Sequence, residues 1–310
     1  MTLGLLLLVA GLLVLSWAAD RFVDHAVNVA TATRISPVVV GAVIVGFGTS
    51  APELLVSGLA ARQGDIDVGI GNIVGSNMAN ITLVLGAAAL ITPVAVGART
   101  LRREAPIALI AVLGFAVLLT NHLSRADGFL LLGGLVVFLF VSIRGGRAGE
   151  PDVPAKVHEP SHPMSFEVKW MVGGLVGTVA GAQMMVTGAI RVADGLGVSG
   201  GFVGLTIVAI GTSLPELVTA ISASRKGQTQ LVVGNLLGSN IFNSLGVGGV
   251  VAILGAGTKA DEALIGLPVV AMCVAMVGAW AMMLGGRELK RREGLILLVG
   301  YLALLPFLPR

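Results

Sequence analysis

Charge is scarce in this chain: Asp, Glu, Lys and Arg make up 12% of its 310 residues, about half the share usual in soluble domains. Together with the chain's high apolar content, this excludes a water-soluble globule. Cysteine occurs once, at Cys273 in an apolar run, which rules out an internal disulfide and a thiolate metal cluster and leaves a buried small hydrophobe as the expectation. The four histidines, His25, His122, His158 and His162, all fall at loops or at the ends of apolar segments. An intramembrane hydrolase would need a nucleophile and a base, and this distribution offers neither; the chain is read as a non-enzyme. His158 and His162 have i, i+4 spacing, but Pro160 between them and Pro163 after them prevent a helical metal pair. His25 is expected to be a solvated surface residue. No selectivity-filter loop of a cation channel is present, and the apolar start of the chain lacks the positive region that opens a signal peptide.

Apolar length is what the chain has in abundance. Hydrophobic residues account for 55% and the mean hydropathy is +0.94, so the sequence is best divided into membrane spans of about 20 residues. Ten fit: 3–19, with a polar extension over 20–34, then 36–62, 68–92, 104–120, 126–143, 167–190, 199–225, 230–255, 262–284 and 293–308. The 44 glycines suit close helix contact in lipid. The stretch 144–163, rich in Pro, Gly, His and charge, divides the chain into 1–143 and 164–310. With ten spans, all but five of the 20 basic residues fall on one side, the exceptions being Arg62, Arg125, Arg191, Lys259 and Arg310. The rich side is cytoplasmic by the positive-inside rule, which places both termini outside and the 144–163 linker inside a bacterial or archaeal cell membrane. Basic residues confined to loops give no nucleic-acid surface, and no protein partner is implied.

The two halves repeat. Residues 41–86 align with 204–249 without a gap at a constant offset of 163, with about 20 of the 46 pairs identical. An odd number of spans per half makes the copies enter the membrane in opposite directions, so the expected architecture is an all-α membrane protein of ten helices in two inverted five-helix repeats. Each copy carries one signature: Gly48-Thr49-Ser50-Ala51-Pro52-Glu53 and Gly211-Thr212-Ser213-Leu214-Pro215-Glu216. On its own, Ser-x-Pro-Glu is a helix capping box, with the serine as N-cap and the glutamate reaching back. Near the bilayer midplane, however, a restarting helix exposes backbone groups that lipid cannot satisfy, so helices 2 and 7 are expected to be broken around a cavity. Inverted halves bring equivalent midplane positions together, so Glu53 and Glu216 should face one another. Two bare carboxylates in a dry site repel and each costs several kcal/mol in desolvation, which calls for a cation between them. The other groups expected to line it are hard oxygens: hydroxyls of Thr49, Ser50, Thr212, Ser213, Ser76 and Ser239, amide oxygens of Asn80 and Asn243, and free carbonyls near Gly46 and Ala209. An all-oxygen set of this charge suits calcium, or sodium or protons in its place. Ser76 and Ser239 could instead bond their own preceding turn, and Asn80 and Asn243 could be glue between helices. Asn72 and Asn235 are read as structural partners of the broken backbone, and Asp65 and Asp67 as solubilising loop residues.

Both signatures, followed by Gly71-Asn72 with Gly75-Ser76-Asn77 and by Gly234-Asn235 with Gly238-Ser239-Asn240, resemble the two repeats of the sodium/calcium exchanger family within the cation/calcium antiporter superfamily. The resemblance spans the whole chain. It implies a secondary antiporter without cofactor: calcium held by Glu53 and Glu216, sodium sharing those carboxylates with the Thr and Ser oxygens, and alternating access by sliding of spans 1 and 6. Family members that exchange sodium often carry Asp in one repeat where this chain has Asn80 and Asn243, whereas members that exchange protons tend to have amides there. Sodium and protons are thus both retained as driving ions. The short linker lacks the calcium-sensing domains of animal exchangers.

Overall fold

A computed structural model describes residues 2–146, 162–195, 209–256 and 261–307. In chain order its principal helices are α1 (Thr2–Thr33), α2 (Pro37–Thr49), α3 (Ala51–Arg62), α4 (Ile66–Ile91), α5 (Glu104–Leu119), α6 (Arg125–Gly146), α7 (Met164–Gly195), α8 (Ala209–Thr212), α9 (Leu214–Arg225), α10 (Thr229–Leu254), α11 (Leu267–Leu284) and α12 (Arg291–Leu304). A two-residue antiparallel pairing of β1 (Val94–Ala95) with β2 (Glu288–Leu289) ties the loop after α4 to the loop before α12. Six helices, α1, α4, α6, α7, α10 and α11, are long and apolar enough to cross a membrane, and the bent pair α2 and α3 makes a seventh. The ten expected spans are not all met by length: α5 and α12 have 16 and 14 residues, fewer than the roughly 20 of a typical span. The segment expected to open the seventh span lies outside the described residues, as does most of the 144–163 linker with His158.

Burial separates centre from rim. The apolar windows of α4 and α10 are 78% and 83% buried, against 28% for α1 and α7 and 22% for α6. The outer helices turn Leu6, Leu13, Leu130, Val136 and Val176 outward, as a lipid-facing surface requires, since lipid gives apolar side chains no reason to hide. Glycine sets the central crossing. A Cβ on Gly41 of α2 would sit 2.7 Å from the Leu231 carbonyl of α10, and one on Gly46 would sit 2.8 Å from the Ser239 nitrogen. The two backbones therefore touch directly, with no side chain between them.

The α1–α7 pairing is the most extensive among the described residues. Gly174, Gly177, Gly181 and Gly188 of α7 abut Phe22, Ala18, Leu15 and Gly4 of α1 in that order, so the helices run antiparallel. The polar stretch after Ala19 continues α1 without a break, as expected. His25 is a correction: it is buried, its Nδ1 lies 2.6 Å from Glu167 Oε2 of α7, and its ring stacks on Trp170 with centroids 5.9 Å apart. The polarity that suggests solvent is satisfied by a carboxylate from the other half of the chain. Cys273 is half-buried rather than buried, because α11 lies at the rim. Asp65 caps α4 by accepting from Val68 N, and Asp67 accepts from Asp261 N at 2.8 Å, so both fix loops.

Candidate cation site

Both signatures break their helices in the same way. Ser50 (φ −86°, ψ 10°) and Ser213 (φ −88°, ψ 3°) leave the helical region at matching positions, and α2 and α3 are bent by 46°. Pro52 and Pro215 supply the cause, since a proline cannot donate to the carbonyl four residues back. The capping-box alternative does not hold, because neither serine makes a side-chain cap bond. Ser50 Oγ instead donates to Glu216 Oε1 across the molecule, at 3.0 Å.

Glu53 and Glu216 are 1% and 0% exposed and close enough to repel one another. The Ser76 and Thr212 hydroxyls border the Glu53 carboxylate, and Thr49 and Ser50 border that of Glu216. Even so, both Glu53 oxygens and Glu216 Oε2 lack a hydrogen-bond partner of ordinary geometry among the described residues. Neither glutamate pairs with a basic side chain among those residues. Two buried carboxylates with three orphaned oxygens form a strongly negative point that only cations or protons relieve.

The surrounding polar groups interlock between halves. Thr49 Oγ1 donates to Asn235 Oδ1 at 3.3 Å, and its counterpart Thr212 Oγ1 donates to Asn72 Oδ1 at 3.4 Å. Ser213 Oγ donates to Ser76 Oγ at 3.5 Å, and Ser239 Oγ to the Gly46 carbonyl at 3.3 Å. Ser76 and Ser239 thus reach across helices rather than into their own turns. The Gly46 carbonyl is a further correction: it is not free, since it also accepts from Ser50 N at 3.2 Å. Ala209 opens α8, and its side chain lies outside the described residues. Asn72 Nδ2 reaches the Glu53 carbonyl at 3.4 Å and Ser57 Oγ at 2.9 Å, the structural role expected of it beside the break. Asn80 donates to Asn240 Oδ1 at 3.0 Å and leaves its own oxygen unpartnered, while Asn243 has no partner among the described residues. Both lie where α4 and α10 widen into π-helical turns, Asn80–Val84 and Phe242–Val247, a distortion frequent at functional sites. Asn77, Asn240 and Ser244 belong to this polar cluster without being among the expected site residues. The two asparagines stand in the doubled motif, but Ser244 has Ile81 as its counterpart and gives no repeat signal.

The family profile described as "Sodium/calcium exchanger protein" matches twice, over residues 3–144 and 167–308. The chain belongs to the sodium/calcium exchanger family. Among relatives of this exchanger, CaxA of Alkalimonas amylolytica is 41% identical over 97% of both chains. Sodium/calcium exchanger MaX1 of Methanosarcina acetivorans is 30% identical over 98% of both. Inner membrane protein YrbG of Escherichia coli strain K12 is 37% identical over 82% of this chain and 81% of its own. The solved structure of the sodium-calcium exchanger NCX_Mj soaked with sodium and strontium superimposes with a TM-score of 0.88 at 28% identity, covering 100% of this exchanger and 99% of that chain.

Proposed function

We propose that this membrane exchanger is a secondary antiporter that moves calcium against sodium, with Glu53 and Glu216 as the shared ion-binding carboxylates. The observation that carries the reading is the buried pair with three unpartnered oxygens. A bare charge of −2 crossing a low-dielectric barrier is prohibitive, so the empty site does not change its facing state. Calcium, or sodium ions in its place, neutralises the pair and permits the change, which makes exchange obligatory. Thr49, Ser50, Ser76, Thr212, Ser213 and Ser239 supply hydroxyl oxygens, Asn80 and Asn243 amide oxygens, and Ala209 a carbonyl. The names of MaX1 and NCX_Mj favour sodium and calcium as the exchanged pair.

The architecture that serves this function is ten spans in two inverted five-helix halves, 1–143 and 164–310, joined by a cytoplasmic 144–163 linker, with both termini outside. Three things support it: the antiparallel α1–α7 pair, the constant offset of 163, and the two separate profile matches. Alternating access follows from sliding of α1 and α7, the first and sixth spans, against a core made of the other eight. YrbG's name as an inner membrane protein favours a cell-membrane location.

A second reading has protons as the driving ion. It is favoured by the neutral Asn80 and Asn243, which leave the two glutamates as the acidic ligands of the set. Calcium uptake into proteoliposomes, with sodium and proton gradients imposed separately, decides between the two. Glu53→Gln and Glu216→Gln each abolish uptake under either gradient; wild-type flux in either variant would remove the site.

A further inference from the structure

The four asparagines behind the carboxylate pair are buried and related in twos by the repeat, Asn77 with Asn240 and Asn80 with Asn243. Their hydrogen bonds do not follow that symmetry. Asn240 Nδ2 donates to the Asn77 backbone carbonyl at 3.3 Å and lies 3.8 Å from the Met276 sulfur. A carbonyl only accepts, so this bond fixes which way the Asn240 amide is turned. Its oxygen is then left to accept from Asn80 Nδ2 at 3.0 Å. That in turn points Asn80 Oδ1 out of the chain, buried and unpartnered among the described residues. Three groups in series convert one backbone carbonyl into a defined orientation of the Asn80 oxygen.

The equivalent chain would run from Asn77 to Asn243, and it is broken. Asn77 Nδ2 donates instead to Ser244 Oγ at 2.9 Å, with the Met272 sulfur at 3.7 Å. Asn77 Oδ1 and both polar atoms of Asn243 then have no partner among the described residues. Ser244 occupies the position equivalent to Ile81, which has no hydroxyl to divert Asn240 in the same way.

We propose that Asn240 is a positioning residue that locks Asn80 with its oxygen toward the ion, while Ser244, by capturing Asn77, leaves Asn243 free to turn its amide. The two amide ligands are therefore unequal, one fixed and one adaptable. Rotation about the last side-chain torsion of asparagine is soft, so Asn243 can offer its oxygen to a bound cation or its NH2 to a carboxylate when the cation leaves. This assignment deepens the proposed function and rests on Asn80 and Asn243 being ion ligands.

The test is a pair of substitutions: Asn240→Ala removes the bonds to the Asn77 carbonyl and from Asn80, and Ser244→Ala removes the bond from Asn77. Asn240→Ala unlocks Asn80 and raises the calcium KM, whereas Ser244→Ala releases Asn77 to hold Asn243 and lowers it, each by about three- to tenfold with kcat changed less. Structural damage alone would move both in the same direction. Initial rates of radiolabelled calcium uptake in proteoliposomes give KM and kcat, after gel filtration has shown each variant to be monodisperse. KM shifts of one sign, or none, overturn the proposal; if Asn240→Ala does not fold, a KM raised or unchanged in Ser244→Ala does so by itself. Asn80→Ala and Asn243→Ala separate the underlying premise: calcium binding unchanged in both would remove the ligand reading, independently of the sign test.

Discussion

Gly41→Ala tests whether the direct backbone contact between α2 and α10 holds the site together. The added Cβ would lie 2.7 Å from the Leu231 carbonyl and 2.9 Å from Asn235 N, atoms that cannot rotate away. Ordinary contact begins near 3.4 Å, so the helices must part by about 0.7 Å in a close-packed interior. The same crossing carries the Ser239 to Gly46 and Thr49 to Asn235 bonds, both 3.3 Å long. A separation of that size takes both beyond hydrogen-bonding range. Overpacking costs about 1–3 kcal/mol and each lost neutral bond about 1 kcal/mol. Replacing a helical glycine by alanine returns about 1 kcal/mol. The net loss is on the order of 3 kcal/mol, a fall in Tm of roughly 5 °C by the entropy scaling with chain length. Gly114→Ala is the control, because its Cβ would meet nothing within 4 Å; there the propensity gain stands alone and Tm rises slightly. Thermal unfolding in detergent, followed by calcium uptake in liposomes, reads both effects. Equal Tm and equal calcium KM in Gly41→Ala and Gly114→Ala would refute the reasoning.

Other outcomes follow from single contacts. Pro52→Ala restores a backbone donor and relaxes the 46° bend; Tm holds or rises while calcium uptake falls, and unchanged uptake would show that the bend is not needed. Glu167→Ala strands His25 and Asn28, which lie 2.6 and 2.9 Å from its Oε2. It lowers stability by about 1–3 kcal/mol, whereas Glu167→Gln keeps an acceptor and loses less, an order that comparative melting checks. Lys226→Gln removes a partly exposed pair with Asp24 at 2.9 Å and shifts stability by at most about 1 kcal/mol, again read by melting.

Much of the fold and most of the candidate site could be read before any coordinates, because the bilayer imposes two simple constraints. Apolar segments must be long enough to cross, and polar groups within them must have a use. That logic located α1, α4, α6, α7, α10 and α11, and it brought Glu53 and Glu216 together through the repeat. It gave the pairing of halves but not the bonds. Ser50 looks like an N-cap in sequence and donates to Glu216 in space, because a hydroxyl near two buried carboxylates finds a stronger acceptor there than on its own helix. His25 looked solvated since nothing local pairs with it; its partner Glu167 is 142 residues away. Ser244 was invisible because its importance lies in breaking the repeat, and repeats are found by agreement.

The departures from symmetry are arranged with some order. At the offset of 163, the carboxylates, the signature hydroxyls and the paired asparagines coincide in both halves, and these are the groups that would meet the ion whichever way the site faces. The α1–α7 contact does not coincide at its two ends. One end joins Gly4 to Gly188 by bare backbone, while the equivalent residues at the other end are Glu167 and His25, hydrogen-bonded and stacked against Trp170. Ser222 donates to Asp20 and Lys226 pairs with Asp24 on that side, whereas their repeat counterparts, Leu59 with Gln183 and Gln63 with Thr187, carry no charge. In a perfectly symmetric inverted repeat the two facing states would be equal in energy, because exchanging the halves converts one into the other. Polar contacts confined to one end remove that degeneracy, and under the proposed exchange each kilocalorie they contribute to one state changes the ratio of states by about fivefold. The candidate ligands are therefore the same residue types in both halves, while the contacts that would choose a side, like Ser244 behind Asn77, belong to one half only.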